Sequence, residues 1–291
     1  MRRIIITENQ VRDVIGSLVT ESPYVRGYMF DWDDNILFMP TKIRMEKKTP
    51  QGWVGVEVST EEFRDLRKDP NYRLLNNDPI KAYHNFRDDN QYIIDINTAL
   101  DGEKYGPSYE KFIEAIEYVH PFSIITARGH SPGALRKGVA ELIFHAFDEE
   151  GIKTLADNIR EKLGMDAEEY ADNMVIDYYL DAQKYNPVSS DEFIDRMKDK
   201  VGAKIDPSNP EQGKKLAIAE FVDGVIREVE KAIKNGENIE NISFGFSDDD
   251  KSNIDIAEKL IQDELNKKYP DVKFVVYDTG DAGDILKIKK Y

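Results

Sequence analysis

The chain has 291 residues, 40% of them apolar and 10% aromatic, which is enough for one large domain or a core domain with a substantial insertion. Its formal net charge of −16 disfavours nucleic acid as a partner, because affinity for nucleic acid comes mostly from cationic contacts to phosphates. The lack of cysteine excludes disulfides, thiolate metal sites and a cysteine nucleophile. The sequence has no signal-peptide pattern and no apolar run of about 18 residues, so we expect a cytoplasmic protein without a membrane partner.

Hydrophobic periodicity and turn residues predict the elements of the first half of the chain. In chain order, these are an extended piece at 3–6, a helix at 8–19, an apolar strand at 27–32, strands at 41–47 and 53–58, and a short helix at 60–67. Residues 49–52 are good turn formers, so the two middle strands are expected to form a hairpin. The rest of 60–106 is polar and is predicted to be irregular.

The second half of the chain alternates helices with apolar strands. Its predicted elements are a helix at 107–119 with Ser108 as N-cap, a strand at 122–126, a helix from Ser131 to about Phe147, a helical segment at 149–206, a helix at 211–234, a strand at 242–246, a helix at 252–268 and a strand at 272–277. Strands that alternate with helices predict an α/β fold with a mainly parallel, doubly wound sheet.

Three of the predicted strands end in polar loops that carry carboxylate or hydroxyl side chains. The first is followed by Asp31 and Asp33, the second ends in Thr126, and the third runs into residues 247–250 (SDDD). Ligands of doubly wound sheets bind at the carboxyl ends of the strands. Two carboxylates this close repel each other unless a cation compensates, and Mg²⁺ prefers such oxygen ligands. With a lysine at the start of the helix at 211–234, these groups predict a phosphoryl-transfer centre.

The order of these motifs resembles the haloacid dehalogenase (HAD) superfamily. Its first motif, Asp-x-Asp-x-Thr/Val after an apolar strand, is matched at residues 30–35 (FDWDDN), and its second, a strand ending in Ser or Thr, at residues 124–128 (IITAR). The third, a lysine near a helix start, fits Lys214 or Lys215, and the sequence leaves open which of the two acts. The fourth, acidic residues after a strand, fits residues 247–250.

The resemblance implies a role for each matched residue. Asp31 would attack phosphorus and form an aspartyl-phosphate, and Asp33 would act as general acid and base. Mg²⁺ would be held by Asp31, Asp33 through its main-chain carbonyl, and Asp248, with Asp249 as the second choice. The alternative for Asp249 and for Asp250 is an acidic cap of the next helix.

The remaining candidates would contact the substrate. Thr126 would donate a hydrogen bond to a phosphoryl oxygen, one of the two lysines would neutralise charge, and Arg128 and Asn35 are placed as substrate-binding residues. Asp34 and Asn35 depart from the family pattern, which usually has Gly and Thr there. Trp32 is expected to pack in the core.

The predicted organisation is a Rossmann-like core carrying a β-hairpin flap and helical caps. The core would comprise residues 27–37, 107–148 and 207–291, after an N-terminal segment at 1–26. The insertions would be a flap or cap at 38–106 and a helical cap-like piece at 149–206.

The predicted function is a Mg²⁺-dependent HAD-type phosphatase for a small phosphorylated substrate. A nucleic-acid end is an alternative substrate that fits the acidic charge less well. The rival class is a non-enzymatic binding or structural protein that retains the fold, since residues 4–11 resemble leading segments of phage-encoded proteins; the compartment would then be the host cytoplasm. The oligomeric state is left open.

Overall fold

The computed structural model describes residues 14–19, 23–166, 170–201, 209–280 and 287–291. The described part of the predicted helix at 8–19 is helical at 14–19 (α1). The predicted extended piece at 3–6 and the phage-like stretch at 4–11 lie outside the described residues.

The main sheet has six strands in the order β6-β5-β1-β7-β8-β9 and is parallel except for its last pair. Its strands are β1 (Tyr24–Phe30), β5 (Phe122–Thr126), β6 (Lys184–Pro187), β7 (Asn241–Asp248), β8 (Val272–Asp278) and β9 (Lys287–Lys290). The predicted α/β class with a mainly parallel sheet is therefore confirmed, and four of the predicted strands lie within this sheet.

A second, smaller sheet is antiparallel and follows the first strand in the chain. Its strands are β2 (Ile43–Thr49), β3 (Gly52–Val58) and β4 (Tyr72–Leu74). Thr49 pairs with Gly52 across the turn, and Gly52 has a φ of +121°, which only glycine adopts without strain. The predicted hairpin is confirmed, and β4 adds a strand that the sequence pattern did not predict.

Helices pack on both faces of the main sheet because successive side chains of a strand point to opposite faces. Tyr28 and Phe30 of β1 lie in one apolar cluster, and Val25 and Met29 in the other. The first cluster contains α4 (Asp89–Asp101), α5 (Tyr109–Glu117), α6 (Pro132–Ala146), α7 (Glu149–Leu163) and α8 (Asp172–Ala182), and the second contains α9 (Asp191–Val201), α10 (Pro210–Lys234) and α11 (Lys251–Leu260). Two short helices, α2 (Thr60–Leu66) and α3 (Pro79–Ala82), accompany the small sheet, and α11 continues through a π-helical turn (Ile261–Leu265) into α12 (Asn266–Lys268).

Two of the predicted segments differ from the structure. The predicted helical stretch at 149–206 contains β6, which pairs with β5 at the edge of the main sheet, so the prediction of helix alone is wrong there. Residues 60–106 are not irregular, because they contain the 13-residue helix α4, which buries Tyr92, Ile96 and Ala99 on one face. An acidic first turn and many polar residues hid this apolar stripe from the pattern.

The division of the chain into a core and two insertions stays a prediction. Within the described ranges, no helix combines the length and the apolar character needed to cross a bilayer.

Candidate active site

The carboxyl ends of the three central strands of the main sheet meet at one edge. Phe30 of β1 pairs with Ile124 of β5 on one side and with Ser247 of β7 on the other, so the residues that follow these strands are neighbours. Asp31 comes directly after β1, and Thr126 and Asp248 end the two flanking strands. The structure therefore brings the three predicted loops together.

Lys214 connects two of these strand ends through its ammonium group. Its Nζ lies 2.9 Å from Asp31 Oδ1 and 2.7 Å from Asp248 Oδ2, and all three side chains are buried. Helix α10 begins at Pro210 with Asn209 as its N-cap, which places Lys214 in its second turn, facing the sheet edge. Burial would lower the pKa of Lys214, but the two carboxylates outweigh it and raise the pKa above its ordinary value.

Lys215 does not lie at the site. One step along an α-helix turns the side chain by about 100°, and the Lys215 ammonium instead lies 2.6 Å from Glu264 at the surface. Its side chain is 40% exposed, against 3% for Lys214. The structure thus separates the two candidates that the sequence left open.

Asp31, Asp248 and Asp249 form a carboxylate triad, with one oxygen of each within 4.8 Å of the others. Burial raises the pKa of Asp31 well above its usual range, and Asp248 and Asp249 act in the same direction, while Lys214 opposes them. Three carboxylates and one ammonium leave an excess of two negative charges when all are ionised. This excess and the all-oxygen donor set fit a hard divalent cation such as Mg²⁺.

Hydrogen bonds fix the orientation of Asp248. Its Oδ1 accepts from Asn253 Nδ2 and from the backbone N–H of Asp250, both at 3.0 Å, while its Oδ2 faces Lys214. Asp250 caps α11 by accepting from the backbone N–H of Ser252, so the cap interpretation holds for Asp250. Asp249 instead belongs to the triad.

Asp33 is held by Arg128 in a two-point ion pair. Arg128 Nη2 lies 2.5 Å from Asp33 Oδ1, and Nε lies 2.8 Å from Oδ2. The ionised carboxylate is the form that accepts both bonds. The carboxylate of Asp33 is outside the metal-compatible triad.

Arg128, which was predicted to bind substrate, is among the residues that line the cavity described below, but its guanidinium is engaged by protein groups. Its side chain is fully buried, donates to Thr41 at 2.9 Å, and lies 3.1 Å from His130 Nε2. Its guanidinium also lies over the ring of Phe86. Arg128 therefore links the β5 loop both to Asp33 and to residues between β1 and α4.

The side chain of Asn35 is fully buried and bonds to groups of the protein. Its amide donates to the main-chain oxygen of Asp31 at 3.0 Å and to Ser247 Oγ at 3.0 Å. Its carbonyl oxygen accepts from Ser108 at 2.7 Å and from Thr279 at 2.9 Å. Asn35 is not among the residues that line the cavity described below, and its role in substrate binding stays a prediction. Ser108 is the N-cap residue of α5, as predicted, although its side chain bonds Asn35 and makes no capping hydrogen bond.

Asp34 explains the other departure from the family pattern. Its φ of +54° is left-handed, the conformation that the usual glycine adopts freely and that aspartate tolerates better than most residues. Its carboxylate accepts a hydrogen bond from Thr60 at 2.7 Å, at the start of α2. Asp34 thus links the loop after β1 to the start of α2.

A cavity of about 560 Å³ opens over the triad. Asp31, Asp33, Thr126, Lys214 and Asp249 are among the residues that line its floor. The segment that was predicted as the flap forms much of the opposite wall, with Phe63, Arg67, Tyr83, Phe86 and Arg87. Sequence reasoning missed these wall residues, because nothing in a polar stretch marks which side chains turn toward a cavity.

The structure also places two further residues named in the sequence analysis, Trp32 and Thr126. Trp32 is fully buried and lies against Tyr92 and Phe112, as predicted for a core residue. Thr126 is buried and lines the cavity; its hydroxyl accepts from the backbone N–H of Arg128 at 3.3 Å and donates to Asp33 Oδ2 at 3.5 Å.

Comparison with protein-family models finds no match, and comparisons with curated proteins and with solved structures find none either. The function must therefore be argued from the chemistry of this site.

Proposed function

We propose that this protein is a Mg²⁺-dependent phosphatase of the HAD type, with a Rossmann-like core, that hydrolyses a phosphomonoester through an aspartyl-phosphate on Asp31. The observation that carries the proposal is the buried bridge from Lys214 to Asp31 and Asp248, with Asp249 alongside, at the carboxyl edge of three central parallel strands. A lysine and a carboxylate triad beneath an open cavity suit a phosphoryl group, which needs both cationic contacts and a nucleophile.

Asp31 is the proposed nucleophile. Lys214 contacts its Oδ1, and no described residue donates a hydrogen bond to its Oδ2, which leaves that oxygen for attack on phosphorus. The backbone of Asp31 is fixed by Ser247 and by Asn35, so the carboxylate meets the substrate in one orientation. Attack forms the Asp31–phosphorus bond and breaks the ester bond, and water then hydrolyses the acyl-phosphate.

Asp33 is the proposed proton-transfer group. As the ionised partner of Arg128, it has the form of a base that takes a proton from the attacking water. In the first step the leaving oxygen gains a proton, and Asp33 supplies it only after it has taken one up and loosened its pair with Arg128. Thr126, whose hydroxyl donates to Asp33, is the proposed donor to a phosphoryl oxygen once that hydroxyl turns toward the cavity.

Asp31, Asp248 and Asp249 would hold the magnesium ion. Bound there, the ion would shield the phosphate from the surrounding carboxylates and stabilise the charge that develops during transfer.

The test is phosphate release from p-nitrophenyl phosphate and a panel of phosphate esters, with Mg²⁺ and with chelator. We expect turnover that needs Mg²⁺ and falls by at least about a hundredfold in Asp31→Asn. Lys215→Met is the matched control and should keep wild-type turnover. Metal-independent turnover, or none on the whole panel, would overturn the proposal and favour the rival binding or structural role.

A further inference from the structure

Two arginines line the cavity wall without a described partner. Arg67 and Arg87 make no side-chain hydrogen bond or ion pair with any other residue that the structure describes. Six other described arginines have carboxylate partners, namely Arg44, Arg73, Arg128, Arg136, Arg160 and Arg196. Arg26 and Arg227, at exposed positions outside the cavity, have none among the described residues. The chain has 56 acidic residues against 40 basic ones, so carboxylate partners are plentiful. Two arginines without such a partner on one cavity wall therefore indicate an anionic ligand.

The two arginines approach the cavity from different sides. Arg87 lies against Gly129 in the β5 loop, where a Cβ atom would stand 3.0 Å from Arg87 Cγ. Arg67 is the C-cap residue of α2 and lines the same cavity as Asp249 and Asp250 of the β7 loop. The two arginines therefore reach the same cavity from separate segments of the chain.

Aromatic rings form the apolar part of the same wall. Phe63 meets Tyr83 edge to face with ring centres 5.9 Å apart, and Tyr83 meets Phe86 in the same way at 6.0 Å. All three side chains are half-buried and line the cavity. Burial raises the pKa of Tyr83 to about 12, so its hydroxyl stays protonated at neutral pH. Such a wall suits a flat ring.

We propose that the phosphate ester bound in this cavity carries a second anionic group, received by Arg67 and Arg87, and a flat ring that packs on Phe63, Tyr83 and Phe86. The inference rests on the proposed function only in placing the reacting phosphate at Asp31. A volume of about 560 Å³ fits a small molecule of nucleotide size. The shared chemistry of ring, phosphate ester and second anion also occurs at a nucleic-acid end, which the test distinguishes.

The experiment measures binding without turnover. Adenosine 5′-monophosphate and adenosine 3′,5′-bisphosphate are titrated by calorimetry into Asp31→Asn, and into wild type with chelator, at one ionic strength. We expect the bisphosphate to bind on the order of tenfold more tightly in both proteins, because charge-assisted hydrogen bonds contribute at least that much. Equal affinity for the two nucleotides would overturn the proposal.

A double variant assigns the preference to the two arginines. Arg67→Gln with Arg87→Gln should bring the affinity ratio close to one. Arg26→Gln with Arg227→Gln changes the net charge equally at exposed positions outside the cavity and should leave the ratio unchanged. A preference that survives the first variant, or that is lost equally in the second, would contradict the assignment.

Two further titrations test the ring and the source of the ligand. Tyr83→Leu should weaken both nucleotides by a similar factor of several-fold and preserve their ratio; unchanged affinity would overturn the ring contact. A 5′-phosphorylated oligonucleotide should bind no more tightly than the bisphosphate, and tighter binding would overturn the small-molecule assignment. Because these readouts need no turnover, a negative phosphatase assay would leave them intact.

Discussion

A single buried ammonium, that of Lys214, holds two buried carboxylates together at the end of the central strand. Lys215, its neighbour in sequence, forms an exposed ion pair with Glu264. Breaking a buried pair leaves an uncompensated buried charge, whereas an exposed pair contributes little to stability. The two lysines therefore provide a matched comparison within one helix turn.

We expect Lys214→Met to lower the free energy of unfolding by about 3–5 kcal/mol in chelator, because Asp31 and Asp248 lose their shared cation. Lys215→Met should change it by less than about 1 kcal/mol. Urea unfolding measures both, and Mg²⁺ should restore part of the loss in Lys214→Met by binding the triad. Equal losses in the two variants would contradict the placement of Lys214.

The sequence identified which types of residue meet at this site but not which bonds they form. Asp31, Thr126 and Asp248 were predictable because each follows or ends a strand whose apolar run is plain. The partners of Asn35 and Arg128 were not, since they depend on side chains from distant elements, such as Thr279 and Thr41. A motif fixes the spacing of residues, whereas tertiary packing decides which polar atoms remain free.

His130 makes the stability of the fold depend on pH. Burial and then the charge of Arg128 lower its pKa to about 4, while the unfolded chain has an ordinary histidine pKa of about 6.5. As pH falls below 6.5, the unfolded state takes up a proton first, so this part of the stability is present at higher pH and is lost between about pH 6.5 and about pH 4.

We expect His130→Gln to reduce the fall in unfolding free energy between about pH 6.5 and about pH 4.5 by at most 2–3 kcal/mol. Urea titrations at the two pH values measure it. His84→Gln, at an exposed histidine, should leave the fall unchanged, and His120 should account for a remaining part because burial lowers its pKa to about 3. An unchanged fall in His130→Gln would contradict the account of this residue.

Elements with strong periodicity were predicted to within a few residues. The strand at 122–126 and the helix α10 are examples, because the strand is apolar throughout and the helix carries an apolar face over many turns. The strand β6 was missed because its four residues, one of them proline, carry no strand pattern and are ordered only by pairing with β5.

Helix α6 allows a test of how tightly α4 packs against it. A Cβ added at Gly138 would lie 2.9 Å from Tyr92 and would also crowd Ile96, whereas one at Gly133 would meet only Ser131 Oγ at 3.8 Å. We expect Gly138→Ala to lower the free energy of unfolding by about 1–3 kcal/mol through overpacking. Gly133→Ala should raise it by up to about 1 kcal/mol, because alanine favours the helix.

Thermal and urea unfolding of the two alanine variants measure this difference. If both variants were stabilised, the close approach of α4 to α6 would be wrong.

Across the whole molecule, the segment between β1 and α5 supplies the second half of the site. It contributes Thr41 to the Arg128 network and three rings and two arginines to the cavity wall. Its hairpin was predictable from the turn at 49–52, but its contribution to the cavity was not, because a hairpin pattern does not indicate where the hairpin docks. Sheet topology places the residues on the floor of the cavity, whereas the docking of the segment between β1 and α5 places the residues of its wall.

The proposed function requires that Asp31 receives a phosphoryl group. The most direct measurement is acid quenching of the wild-type protein during turnover of a ³²P-labelled ester with Mg²⁺, followed by peptide mapping. We expect a base-labile label on the peptide that contains Asp31, absent with chelator and absent from Asp31→Asn. A protein that turns over the ester without acquiring this label, or that carries it on another residue, would contradict the account.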